Sequence, residues 1–152
     1  MPALSEFEFS AIMLSHAFDG WIVRCMAAAG VSDMSPVDVM VLHTVRHRGK
    51  AKRLADICLV LNIKDTHVVS YAIKKLVRLK LVSSRMQGKE KLIETTEQGP
   101  GVCQRHHEIR EALLIRSVET LGLDQQALSP IATQMRVISG HYDQAARAAA
   151  SL

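Results

Sequence analysis

DTHVVSYAIKKLVRLKLV, residues 65–82, has the spacing of a helix with two unlike faces. Val69, Ala72, Ile73, Leu76 and Leu79 recur at three- and four-residue steps and form an apolar stripe, while His67, Ser70, Tyr71, Lys74 and Arg78 recur the same way on another side. One face is fit for burial and the other for a partner. Asp65 is placed as an N-cap for a first turn beginning at Thr66, and a capped helix start leaves backbone N–H groups at a site that favours anions. The polar face sets small hydroxyl and imidazole groups near its start, with a tyrosine and cations further along. A helix laid in a DNA major groove needs this order, with short side chains for base edges and long cations for phosphates. An ordinary amphipathic surface helix also has a polar, lysine-rich outer face, so this stretch alone leaves both readings open.

The charge around it favours the first. Of the 19 lysines and arginines in the 152-residue chain, 13 fall between residues 43 and 91, against Asp56, Asp65 and Glu90, a segment charge of +10. The other six stand against 12 acidic residues, a balance of −6. A strongly basic middle between acidic ends is the footprint of a polyanion-binding module. With 48% hydrophobic residues the chain can bury the core of one domain, with or without extensions. No run approaches the ~18 uninterrupted apolar residues of a membrane span, and a start containing Glu6 and Glu8 lacks the pattern of a secretory signal, so the expected compartment is the cytoplasm. Cys25, Cys58 and Cys103 are widely spaced and form no C-x-x-C pair, which suits reduced thiols.

Residues 5–29 are predicted as one long helix, with Phe9, Ile12, Met13, His16, Ala17, Gly20 and Val23 or Arg24 sharing a side and Gly30 as its stop. Trp21, Ile22, Cys25 and Met26 make it apolar over a wide arc, the mark of a helix buried between layers or against a second subunit. Ser35, Pro36 and Asp38 open the next helix as N-cap, first helical residue and capping-box partner, and it stops near Gly49. Residues 52–61, KRLADICLVL, give a short third helix from the spacing of Leu54, Ile57, Cys58 and Leu61. Asn62, Ile63 and Lys64 then turn tightly into the helix that Asp65 caps, which makes a helix-turn-helix.

Residues 81–85 and 91–96 are predicted strands flanking a Gly-containing hairpin tip at residues 86–90, and Arg85, Lys89 and Lys91 ride on it. A basic hairpin beside a helix-turn-helix is a wing, able to reach the neighbouring backbone or minor groove. After Gly99, Val102, Ile109, Leu113 and Val118 point one way up to a break at Gly122. Asp124 starts the last helix, where Leu128, Ile131, Met135, Ile138, Tyr142, Ala145 and Ala149 alternate steps of three and four residues. Such a seven-residue apolar repeat favours packing along another helix, either the chain's own first helix or a second subunit.

This order of elements resembles the MarR (multiple-antibiotic-resistance regulator) family of winged-helix repressors over nearly the whole chain. The most specific pieces are THVVSYAIKKLVRLKLV ending in Leu81 and Val82, and the wing exit Thr95-Thr96-Glu97-Gln98-Gly99, with its Thr-x-x-Gly pattern. The resemblance implies a mainly α fold with a small β-wing. An N-terminal dimerisation helix would fill residues 1–30, a winged helix-turn-helix domain residues 35–98, and C-terminal dimerisation helices residues 99–152. It also implies a homodimer that inserts two recognition helices into successive major grooves of a pseudo-palindromic site. Phe9, Ile12, Leu128, Ile131, Met135, Ile138 and Tyr142 would hold the dimer. Two positions depart from the pattern. Lys80 stands where the family usually has glycine before the Leu-Val, and Gln87 and Lys89 occupy the places of the usual wing aspartate and arginine. Lysine lacks the planar fork that suits arginine to a minor groove.

On this reading Thr66, His67, Ser70 and Tyr71 contact base edges, although the Tyr71 ring could also pack inward. Lys74, Lys75 and Arg78 hold phosphates, and Arg85, Lys89 and Lys91 work from the wing. The expected partners are double-stranded DNA, a second copy of the chain and a small-molecule effector whose identity the sequence does not name. Cys25 lies beside Arg24, which would lower its pKa if the two side chains met, and some relatives sense oxidants there; the competing reading is a small buried hydrophobe. His106, His107, Glu108 and Glu111, and the pair His43 and His47, have the spacing of helix-borne metal ligands, but exposed polar residues account for them and no metal or other cofactor is expected. A winged-helix module that binds only protein is the rival class. No Gly-rich phosphate loop, catalytic triad signature or paired carboxylates point to an enzyme.

Overall fold

The computed structural model describes all 152 residues, which form two compact units, Met1–Arg110 and Glu111–Leu152. The first contains α1 (Pro2–Ala28), α2 (Pro36–Arg46), β1 (Lys52–Arg53), α3 (Leu54–Leu61), α4 (Thr66–Arg78), β2 (Val82–Gln87), β3 (Glu90–Thr95) and α5 (Gln98–Arg110). The second opens with a π-helical turn, Glu111–Ile115, followed by α6 (Arg116–Thr120) and α7 (Gln125–Ala149). No helix is long and apolar enough to cross a membrane.

Local chemistry sets most of the helix ends. At α2 the Ser35 hydroxyl accepts from the Asp38 amide at 3.2 Å while the Asp38 carboxylate accepts from the Ser35 amide at 2.8 Å, so two otherwise orphan donors are satisfied reciprocally. The α3 helix stops where Asn62 takes a left-handed conformation, φ 54°, and the Ile63 amide reaches back to the Cys58 carbonyl at 3.0 Å. Asp65 caps α4 by accepting from the His67 amide at 2.9 Å. At the other end of α4, the Lys80 amide bonds the Val77 carbonyl and the Leu81 amide bonds the Leu76 carbonyl, a Schellman closure that needs a left-handed residue at Lys80, φ 59°. Leu76 and Leu81, the apolar pair expected beside such a closure, are both buried.

The core of the first unit is drawn from every element but β1. Met26, Val39, Leu42, Ile57, Val69, Leu76 and Ile93 have no appreciable exposure. The stripe Val69, Ala72, Ile73 and Leu76 is buried as its spacing predicts. Leu79 is not, because it sits at the C-cap where the chain leaves the helix, and Leu81 takes over the core position. Residues 52 and 53 are a correction. They were expected in the third helix but form a two-residue strand against β3, pairing Lys52 with Ile93 and Arg53 with Leu92, so the wing sheet has three strands in the order β1-β3-β2. The hairpin is also tighter than the spacing suggested. Gln87 pairs with Glu90, and Gly88 with Lys89 make the whole turn, Gly88 supplying the positive φ of 64° that a two-residue hairpin requires.

Elsewhere the helices are longer or differently phased. The first begins at Pro2, which loses nothing as the first helical residue because its amide would be unpaired there. Only its C-terminal part, Ile22, Cys25 and Met26, is buried, whereas Phe9 and Ile12 are 69% and 53% exposed. On α5 the buried positions are Gly99, Val102, Cys103 and His106. The expected continuation of that stripe through Leu113 fails, because the π-turn at Glu111–Ile115 carries wider helical steps and shifts the phase. In the second unit Asp124 caps α7 through the Ala127 amide at 2.9 Å, and the residues of its seven-residue repeat all retain exposed or half-exposed side chains.

Candidate nucleic-acid interface

The polar face of α4 is open to solvent. Thr66, His67, Lys74 and Arg78 are exposed and Ser70 is half-buried. Tyr71, whose ring could have packed inward, is 73% exposed, and Lys74 Nζ lies 5.7 Å from its ring centroid in a cation–π contact. An aromatic face and a cation thus project together from the middle of the helix. At its start the Asp65 cap consumes the His67 amide.

Lys75, expected from the sequence to hold phosphates alongside Lys74 and Arg78, is engaged within the protein instead. Its Nζ lies 2.9 Å from Asp38 Oδ2 and also donates to the Asp33 carbonyl. Asp38 is only 5% exposed and uses the same oxygen to cap α2. Lys75 is therefore a tie between α4 and the start of α2, where a buried carboxylate needs its charge matched. Beside this tie lies a cleft of about 400 Å³ lined by Ser35, Val37, Val68, Tyr71, Ala72 and Arg78, among others.

Other cations of the basic middle are also engaged. Lys52 Nζ donates to the Val45 carbonyl at 2.9 Å and to the His47 and Lys50 carbonyls, closing the C-terminal end of α2, and burial lowers its pKa. Arg53 binds Asp56 and, at 3.1 Å, Glu90, which ties β1 to the base of the wing turn. Its bonding first to Asp56 and then to Glu90 raises its pKa, and Arg53 in turn lowers that of Asp56. Arg85 pairs with Glu94 across the wing at 3.3 Å. Lys89 at the tip and Lys91 on β3 remain exposed. The free cations facing outward from α4 and the wing are thus Lys74, Arg78, Lys89 and Lys91.

The wing exit explains its own sequence. Thr96 donates its hydroxyl to the Lys80 carbonyl and its amide to the Leu81 carbonyl at 3.1 Å. Three residues on, a Cβ at Gly99 would lie 2.6 Å from that same Leu81 oxygen, so only glycine passes. The Thr-x-x-Gly pattern thus fastens the end of the wing to the end of α4.

A second cavity, about 620 Å³, lies at the other end of α2, lined by His43, Arg46, His47, Arg48, Gly49, Thr95 and Pro100. Nearby, Cys25 is 2% exposed and points its Sγ at the His106 carbonyl, 3.5 Å away. Burial raises its pKa, only partly opposed by Arg110 rather than by Arg24, so the thiolate that oxidant sensing requires is disfavoured. No cluster of three or more metal-ligating side chains is present, and the His43 ring meets that of His106. That contact joins residues 63 positions apart, and only a tertiary fold reveals it.

Residues 34–99 match the winged helix DNA-binding domain family. Among solved structures, a MarR family regulator from Neisseria meningitidis superposes with a TM-score of 0.76 at 16% identity, covering 95% of this chain and 96% of that one. It has the MarR-family fold. MarR from E. coli, in a mutant form complexed with operator DNA, has a TM-score of 0.71 at 14% identity, covering 90% of this chain and 95% of that one. CouR from Rhodococcus jostii RHA1, bound to p-coumaroyl-CoA, gives 0.71 at 15% identity, covering 87% and 90%. No curated protein matches the chain in sequence. On this fold the α3–α4 pair is the helix-turn-helix and the three-stranded sheet is the wing, and Lys74, Arg78, Lys89 and Lys91 are exposed on them.

Proposed function

We propose that this chain is a sequence-specific transcriptional repressor that binds a pseudo-palindromic operator as a homodimer and is released by a small effector. The observation that carries this reading is the open polar face of α4, where exposed Tyr71 and Lys74 stand together between the Asp65-capped start and Arg78, beside a wing that presents Lys89 and Lys91. Thr66, His67, Ser70 and Tyr71 read base edges. Lys74 and Arg78 hold phosphates from the helix and Lys89 and Lys91 from the wing. The operator-bound E. coli MarR supports this choice of surface, and the ligand-bound CouR supports effector control.

The second copy is expected along the exposed apolar rows of α1 and α7, because two half-sites on one face of a duplex need two recognition helices. The cavity lined by His43, Arg46 and Thr95 is the candidate effector pocket. Selection of bound duplexes from a random library by the purified chain tests the proposal. A palindromic consensus bound with steep salt dependence is expected. Weak, salt-insensitive binding without a consensus would return the chain to the class of protein-interaction modules.

A further inference from the structure

In the first unit, α2 and α5 meet through two imidazoles that packing alone does not explain. The rings of His43 and His106 lie with centroids 4.5 Å apart and planes inclined by 56°. The Nε2 atom of each is buried without a hydrogen-bond partner. A neutral imidazole has one donor and one acceptor, and leaving such a group unmatched away from water is unfavourable. Leu42 beside one ring and Val102 and Cys103 beside the other are ordinary core residues, so a phenylalanine or leucine pair would fill the space without that cost.

The charged groups acting on the rings share one sign. Arg46 on α2 and Arg110 on α5 act on His43, and Arg110 and His107 act on His106; no carboxylate is among them. From α1 the facing titratable group is Cys25, whose Sγ meets the His106 carbonyl. Cys103 on α5 interacts with Arg46. His47 and Arg48, in the turn after α2, and Thr95 of β3 border the cavity that His43 also lines.

We propose that His43 and His106 form a proton-operated release between α2 and α5: neutral rings hold the helices in contact, and protonation sets like charges against each other, Arg46 and Arg110, and drives the helices apart. Burial first, and then the neighbouring positive groups, lower the pKa of His43 to about 4 and that of His106 below its ordinary value. A base depressed in this way is neutral in the packed state, so the contact is whole above the ordinary value near 6.5 and weakens as pH falls toward 4. By that linkage His43 alone favours the separated state about tenfold at roughly pH 5.5 relative to neutral pH. Because α2 also carries Asp38, the anchor of Lys75, separation bears on the reading surface. That consequence rests on the DNA-binding reading; the release itself does not.

Hydrogen exchange of the full chain, corrected for intrinsic rates, tests the release at roughly pH 7.5 and 5.5. Peptides from residues 39–46 and 99–110 are expected to lose protection about tenfold at the lower pH, while those from α7 hold theirs. In the double variant His43→Phe and His106→Phe, which keeps two rings in contact and removes both proton sites, the loss disappears. Equal protection at both pH values in the wild type, or an undiminished loss in the variant, overturns the proposal. Should the variant not fold, ring-proton resonances of the wild type decide. A His43 ring that titrates only below about pH 5, with α2 and α5 resonances moving alongside it, supports the release, and a ring titrating near 6.5 with those resonances unmoved overturns it. Duplex binding does not enter the measurement, so a chain that bound no DNA would leave the test intact.

Discussion

Lys75 Nζ sits 2.9 Å from Asp38 Oδ2, joining the last turn of α4 to the first turn of α2. The carboxylate is nearly excluded from water, so removing the lysine leaves a buried charge with only the Ser35 amide for a partner. Lys75→Met is expected to cost roughly 2 kcal/mol in chemical denaturation, and Asp38→Asn in the same chain should recover part of it. On duplex binding Lys75→Met should leave the salt slope unchanged, unlike a phosphate contact. A slope lowered by about one, with stability intact, would return Lys75 to the interface.

The left-handed residue that closes α4 gives a paired test. Lys80 has φ 59°, a conformation that costs an L side chain roughly 1 kcal/mol and glycine almost nothing. Lys80→Gly should therefore raise stability by roughly 0.5–1 kcal/mol, offset slightly by the greater freedom of the unfolded chain. Gly99→Ala should do the reverse, costing roughly 2 kcal/mol or more, since its Cβ would meet the Leu81 carbonyl oxygen at 2.6 Å. Denaturation midpoints that move the opposite way for either variant would show that the wing exit is not held as described.

The contrast between these sites and the rest shows what a sequence can carry. The Ser35 and Asp38 box, the Asn62 turn and the Asp65 cap were legible because each is decided within three or four residues of chain. Lys52 and Arg53 were misread because their strand exists only through Ile93 and Leu92, forty residues away. Lys74 and Lys75 look alike in sequence. One further residue turns a helical side chain by about 100°, which takes Lys74 over Tyr71 and Lys75 onto Asp38. The dense charge of residues 43–91 likewise overstated the free cations, because Lys52, Arg53 and Arg85 have protein partners.

That distinction should appear in the wing. Lys89 is exposed at the turn, whereas Arg85 is paired with Glu94. Lys89→Ala is expected to weaken binding about equally across duplex sequences and to lower the salt slope by roughly one, and Arg85→Ala to lower it by less. Titrations of a selected duplex between about 50 and 200 mM salt measure both. Equal slopes for Lys89→Ala and the wild type would remove the wing tip from the interface.

The thiols are expected to be silent. Cys25 and Cys103 are buried and burial raises the pKa of each, which arginine neighbours only partly oppose, and Cys58 is buried as well. At roughly pH 7.5 a disulfide reagent should therefore react with the folded chain far more slowly than with free cysteine, the three thiols appearing only on unfolding. Rapid reaction mapped by peptide mass to Cys25 would restore the oxidant-sensing reading.

The last helix makes the clearest demand on a second copy. Leu128, Ile131, Met135 and Tyr142, one side of its seven-residue repeat, keep 41%, 49%, 37% and 43% of their surface exposed. A row of this kind along 25 helical residues fits burial against another helix, and a carboxylate placed in it would have to be desolvated with nothing to pair it. Ile131→Glu is therefore expected to weaken self-association by roughly 2–4 kcal/mol, about thirtyfold to a thousandfold in the dimer dissociation constant. Sedimentation equilibrium reads this directly, and the same variant should lose affinity for a two-half-site duplex while keeping that for a single half-site. A wild type that stays monomeric at micromolar concentration, or an Ile131→Glu chain that associates as tightly as the parent, would leave the α7 row without its proposed partner.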